Sequence, residues 1–328
     1  MIWQKFIKVG GKPLTWISAA FRAMSLALGS RNQPTGPNVD GRAKPFANNH
    51  LNWPVKRSGR SFRVFVVEPG NYEPANHAAI FNSAVRFLVA GETEEVDLYQ
   101  HAPRLPDPQQ FDLVTFPEAF LPLDALLVAL ADIPDIISDF GCVHVGLRPS
   151  SGGGSHLIPA SRLRELIAEL KRVEGIEEKD LDGFSGWLDG QHQEARFNIG
   201  CLFTLDAHGK RRVCLHPKMV PSNEEVSALP ENDMEEGSLL SAVTLQPTDK
   251  RYQTVTVQPL LCSDVLNLDT DRGQSRPLQA IHINADCLGD NPPDHIDVVS
   301  VAHLCGLLPV ANCRIWSNAV TFPVVSVS

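Results

Sequence analysis

An α/β fold built in layers is predicted for this 328-residue chain by three observations. From Ser61 onward, short β-branched or aromatic runs alternate with amphipathic helical stretches. The runs are bounded by Pro, Gly and Asp/Asn clusters, the punctuation of strand ends. Hydrophobic residues make up 43% of the chain and charged residues 20%, which supplies a sizeable core and excludes wholesale disorder.

In chain order, residues 1–60 read as a basic N-terminal extension. TWISAAFRAMSLALG (15–29) predicts a short apolar helix with Ile17, Phe21, Met24 and Leu28 on one face and Gly29 as its stop. Residues 30–60, rich in Asn, Pro, Gly, Arg and Lys, read as a flexible linker. SFRVFVVEPG then predicts a strand and NHAAIFNSAVRFLVAG an amphipathic helix. FDLVTFPEAFLP is a second strand, LDALLVALADI a helix, and FGCVHVGLRPS a third strand. LIPASRLRELIAELKRVEG is a charged helix, and the acidic stretch that follows, to about Glu194, reads as a surface insertion. RFNIGCLFTLDAHGKRRVCLHPKMV is a hairpin turning at Asp206–Gly209, where Gly209 supplies the φ > 0 position. SLLSAVTLQP, YQTVTVQPLLC, IDVVSVAHL and TFPVVSVS complete the predicted strands, all within one domain at 61–328.

Charge narrows the function classes. The net charge is −9, but residues 1–60 hold ten Lys/Arg against Asp40 alone, a local +9, so the rest of the chain carries −18. An acidic body is a poor nucleic-acid surface, which leaves only the basic arm to touch RNA, DNA, anionic lipid or the acidic body itself. No uninterrupted apolar run approaches the ~18 residues a membrane span needs. Seven cysteines with no CxxC pair read as free thiols in a reducing, cytoplasmic setting rather than as a disulfide framework. A targeting peptide at the acid-poor N-terminus is the competing reading of that segment.

Three polar residues fall where predicted strands end: Glu118, Lys218 and Cys262. Strand ends favour chemistry, because the sheet fixes the side chain while loops leave it accessible. A thiol needs a base, and a carboxylate in a dry pocket can serve as one. A lysine ammonium can neutralise the oxyanion of a tetrahedral intermediate, aided by the amide N–H of Ser263. Each residue also has a plain reading. Cys262 could be a buried strand thiol, Lys218 a solvated lysine, and Glu118 a helix-capping carboxylate. Asp264 reads as a structural hydrogen-bonding group. Cys142/His144, Cys214/His216 and His303/Cys305 recur at i, i+2 spacing and could each present two zinc ligands, but none has the spacing of a strong site. A papain-like Cys–His pair lacks its flanking signature.

FDLVTFPEAFLP, LHPKMVPSNEE and VQPLLCSD resemble the three signature segments of the nitrilase superfamily of carbon–nitrogen hydrolases, and NIGCLFTLDAHGKRR resembles its hairpin. Glu118, Lys218 and Cys262 fall on the family's catalytic positions. Glu225 falls on its additional pocket glutamate, with Glu224 as a neighbouring competitor. The resemblance implies a four-layer α-β-β-α sandwich and hydrolysis of a small-molecule amide or nitrile with no metal or cofactor. It also implies self-association. The chain departs from the family at Ser263 and Val265–Leu268, in roughly 45 extra residues between Leu147 and Phe197, in the expanded segment 270–296, and at TFPVVSVS, after which the family's closing strands have no counterpart. The expectation is therefore either a fragment of a longer protein or a sandwich incomplete at its C-terminal edge and completed differently, as by a partner. Two alternatives follow from these departures: a catalytically silent, nitrilase-like interaction or scaffold protein, and an amidase or acyltransferase component of a larger assembly docked through the basic arm.

Overall fold

The structure is a computed structural model that describes residues 3–7, 47–56, 62–67, 74–90, 112–136, 142–150, 155–221, 225, 233–262, 264, 298–302 and 324–327. Strand β3 (Phe62–Val66), helix α1 (His77–Ala90), strand β4 (Leu113–Thr115), helix α2 (Leu123–Ile136) and strand β6 (Cys142–Arg148) follow the predicted alternation. β3, β4 and β6 pair in parallel. Such pairs need helical crossovers, which is why every residue of β4 and β6 is buried and their sequences run apolar without alternation. Strand β5 (Leu121–Pro122) pairs β6 beyond the end of β4.

The predicted hairpin is β9 (Ile199–Leu205) and β10 (Arg211–Pro217), antiparallel, with β9 against β6. Gly209 sits at φ 77° in its turn, and Asp206 Oδ1 accepts the N–H groups of His208 and Lys210 at 2.8 and 2.9 Å. Together with β1 (Trp3–Ile7), which pairs β3, these strands form the first sheet. The second runs β14 (Val324–Val327), β13 (Val298–Ala302), β12 (Val255–Leu261), β11 (Leu239–Pro247), β2 (Ala47–Val55). Strands β7 (Ile158–Pro159) and β8 (Arg196–Phe197) make a small separate pair.

The two-residue period of a strand sorts the core. Leu113, Cys142, Leu202 and Cys214 face the second sheet and join Trp53, Val243, Leu245, Val257 and Val298 in one cluster. Their neighbours Val114, Val143, Cys201, Phe203, Val213 and Leu215 face the helices and join a second cluster. The described residues are thus mixed α/β, with helices on one face of the first sheet and the second sheet on the other.

Two expectations are corrected. Residues 47–55, read as linker, form strand β2, parallel to β11 along its whole length. The folded region therefore begins by Ala47 rather than at 61, and β1 adds a strand from the same arm to the other sheet. Asn, His and Pro concealed a period-two stripe: Asn49, Trp53 and Val55 are buried, and Leu51 packs against them. Pro54 is tolerated because β2 pairs only β11. The outer side of β2 is covered, since Pro54 O accepts Ala207 N–H at 2.8 Å and Asn52 O accepts Arg212 Nη2 at 3.3 Å. The predicted helix at 15–29 lies outside the described residues.

The predicted charged helix forms, and the acidic stretch after it, read as a surface insertion, is mostly on the surface but buries one helical face. Helix α3 (Ala160–Leu170) buries Ala160, Leu163, Leu166, Ile167 and Leu170. Helix α4 (Lys179–Asp189) buries Asp180, Leu181, Phe184, Trp187 and Leu188, a helical stripe hidden among acids. Asp180 is bound by Arg212 through two bonds of 2.7 Å, and Asp206 Oδ2 accepts a third from the same guanidinium at 3.1 Å. This cluster ties α4 to the hairpin.

Between the sheets lies a buried polar cluster. Ser300 Oγ is 2.9 Å from Thr115 Oγ1 and 2.8 Å from His144 Nδ1, and His144 Nε2 is 3.1 Å from His216 Nε2. Gly200 makes room for the His216 ring, since a Cβ there would lie 2.2 Å from Nε2. Burial pulls the pKa of His216 down to about 3, and burial plus the neighbouring His216 hold His144 well below its ordinary value. The unfolded chain protonates these rings below about pH 6.5 while the folded one does not, so stability falls as pH drops from about 6.5 toward 3, by about 1.4 kcal/mol per pH unit for His216, with His144 acting in the same direction. Relative to wild type, His216→Asn is expected to become progressively less destabilised across that window, measured by urea unfolding. A difference that stays constant with pH would refute this.

Candidate active site

Glu118 is placed by the way β4 ends. Phe116 N–H donates to His144 O at 2.8 Å, Gly146 N–H to Pro117 O at 3.0 Å, and Phe120 N–H to Gly146 O at 2.9 Å, which lays residues 116–120 along β6. Phe116 and Phe120 are buried on either side of the glutamate, and His77 stacks on Phe120 with ring centroids 4.4 Å apart. Gly146 is required at the point of contact, because a Cβ there would lie 2.4 Å from Glu118 Cα. Ala119 takes φ 51°, an uncommon conformation for a residue with a Cβ.

Lys218 follows β10. Its N–H donates to Asn198 O and its carbonyl accepts Gly237 N–H, both at 2.8 Å. Its ammonium donates to Glu118 Oε1 at 2.7 Å and to Glu225 Oε2 at 2.5 Å, and all three residues are buried. Burial pulls the lysine pKa down, but the Glu118 and Glu225 carboxylates and the Cys262 sulfur outweigh it and hold Lys218 firmly protonated. The plain reading of Lys218 as a solvated lysine is thereby corrected.

Cys262 ends β12 at φ 34°, with its N–H donating to Ala302 O at 2.9 Å. A left-handed cysteine is costly, on the order of 1–3 kcal/mol, and such conformations concentrate at functional sites. Asp264 explains how the turn is held. Its Oδ1 accepts Met219 and Val220 N–H at 2.8 and 2.9 Å, and its Oδ2 accepts Leu261 N–H at 3.1 Å. One carboxylate therefore fastens the residues just after Lys218 to the residue just before Cys262. Burial nevertheless raises the Asp264 pKa to about 7, against the opposing pull of Lys218 and the three N–H groups.

Glu118, Lys218, Glu225 and Cys262 are thus brought together from the ends of three strands and the loop after β10. Ser263 and Glu224 lie outside the described residues, as do His303 and Cys305. The other two His/Cys pairs sit on β6 and β10, with the histidines bonded to each other. Among the described residues no group of three or more His, Cys, Asp or Glu is placed to hold a metal ion, and no helix is long and apolar enough to cross a membrane.

Two contacts of the site were missed in the sequence. Asn198 Nδ2 donates to Glu118 Oε1 at 2.7 Å and to Glu225 Oε1 at 2.6 Å. Counting outward from the turn would have found it: Leu205 pairs Arg211 and Ile199 pairs Pro217, so Asn198 lies opposite Lys218. His156 Nε2 lies 3.0 Å from Glu225 Oε1, from the segment before β7. No local pattern announces a contact made across 69 positions. No protein-family model, curated protein or solved structure matches this chain.

Proposed function

We propose that the chain is a divergent nitrilase-superfamily hydrolase that cleaves a non-peptide carbon–nitrogen bond, in an amide or nitrile, through a thioester on Cys262. The observation that supports this best is the Lys218 ammonium held between the Glu118 and Glu225 carboxylates at 2.7 and 2.5 Å, beside a cysteine in a left-handed turn. The four-layer sandwich is part of the same reading. So are a small-molecule substrate, a cytoplasmic setting, and self-association or docking through the basic arm and the β14 edge.

Asn198 and Lys218 both bond Glu118 through Oε1, and Oε2 takes the thiol proton. The sulfur attacks the amide carbon, the C–S bond forms, and the carbonyl electron pair moves onto oxygen. Lys218 and the Ser263 amide N–H neutralise that oxyanion. On collapse the C–N bond breaks and Glu118 returns its proton to the leaving amine. Glu118 then takes a proton from water, whose oxygen attacks the thioester and releases a carboxylic acid and the free thiol. Glu225 orients Lys218.

The test is amine or ammonia release from a panel of small amides and nitriles. Turnover is expected to vanish in Cys262→Ala, and to fall by roughly 10²–10⁴-fold in Glu118→Gln. Full turnover by Cys262→Ala would sink the mechanism. One observation favours the second reading, a silent interaction protein: Cys262 is only 3% exposed. That reading expects no turnover of any panel member and partner binding unchanged by Cys262→Ala.

A further inference from the structure

Lys218 is one of two donors that bridge the carboxylates. Asn198 spans the same pair, and the four side chains close a ring: Lys218 Nζ, Glu118 Oε1, Asn198 Nδ2, Glu225 and back to Lys218. Ionised carboxylates only accept hydrogen bonds, so the amide nitrogen of Asn198 is the end that must face them. Its Oδ1 is thereby turned away, and it is buried without a partner among the described residues. Leaving a buried carbonyl unpaired is costly, and such an atom in a native fold calls for an explanation. Burying Asn198 in this orientation makes sense if the two bonds to the carboxylates outweigh the orphaned oxygen.

From this ring we infer that Asn198 is a positioning residue for the general base: its two N–H donors hold the Glu118 and Glu225 carboxylates side by side. The inference rests on the reading of Glu118 as base. Two carboxylates bound to one ammonium would otherwise repel. Asn198 supplies two N–H donors without adding a second positive charge beside the thiol. Its backbone task is separate, since Lys218 N–H donates to Asn198 O whatever the side chain. Among the described residues, the titratable groups bonded to the pair include Lys218 after β10 and His156 before β7, while Cys262 and Asp264 after β12 interact with Lys218.

The test needs no substrate. Iodoacetamide is used on the full chain, and the rate of Cys262 alkylation is followed by peptide mass from about pH 4 to about pH 9. The acid limb of the profile reports the carboxylate that accepts the thiol proton. Each carboxylate loses the one donor bond that Asn198 gives it, and a hydrogen bond to the ionised form favours that form, so Asn198→Ser is expected to move the inflection upward. Asn198→Asp, the same size but a third carboxylate, moves it further. Glu118→Gln removes the limb. A merely structural asparagine would lower the melting temperature and leave the inflection in place. An unmoved inflection in both Asn198 variants, with the limb abolished by Glu118→Gln, overturns the inference alone. A limb that survives Glu118→Gln, or a Cys262 that is not alkylated in the native protein, overturns the base reading itself.

Discussion

Lys218→Met is expected to destabilise the fold by about 3–5 kcal/mol and to abolish any turnover. The ammonium is the only cation bonded to both Glu118 and Glu225 among the described residues, at 2.7 and 2.5 Å. Methionine matches its length and leaves two buried carboxylates sharing the two N–H groups of Asn198. Like charges that close repel strongly once their shared counter-ion is gone. The penalty is therefore the cost of an uncompensated buried charge, not the net worth of the pair. Urea unfolding measures the first effect and amide turnover the second. A loss below about 1 kcal/mol, the range of an exposed ion pair, would mean the lysine is not buried between its partners as described.

Gly146→Ala should have the next largest effect, and it tests position without touching a charged group. The added Cβ would lie 2.4 Å from both Glu118 Cα and Ala119 N. Backbone stands on both sides of that contact, so neither can yield by changing a rotamer. Overpacking of this kind costs about 1–3 kcal/mol or somewhat more. Displacing the base by even about 1 Å is worth roughly 10²-fold in rate. A folded Gly146→Ala protein with unchanged alkylation kinetics at Cys262 would show that the 116–120 segment does not set the site.

Much of the fold was legible because its strands are buried on both faces or alternate cleanly. β4, β6, β9, β10, β11 and β12 all lie within the runs read as strands. What escaped was structure disguised by composition. Strand β2 is polar on average, and only the alternation ending in Trp53 and Val55 betrays it. Helix α4 is acidic on average, and its stripe Leu181, Phe184, Trp187 and Leu188 is what packs. A window average erases the period that decides burial.

The site divides in the same way. Glu118, Lys218, Glu225 and Cys262 were found through segments that resemble a family, each short enough to read locally. Asn198 was within reach of a register count from Gly209. His156 was not, because a long-range contact in a fold is fixed by topology rather than by neighbours in sequence. Asp264 read correctly as structural, and its three backbone partners give that reading its geometry.

The decisive measurement is the intact mass of the protein, quenched in acid during incubation with the amide panel. A thiol nucleophile predicts a transient mass increase equal to the substrate's acyl group, located on the peptide that contains Cys262 and absent in Cys262→Ala. Hydrolysis that proceeds at the same rate in Cys262→Ala, or an adduct on any other residue, would contradict it.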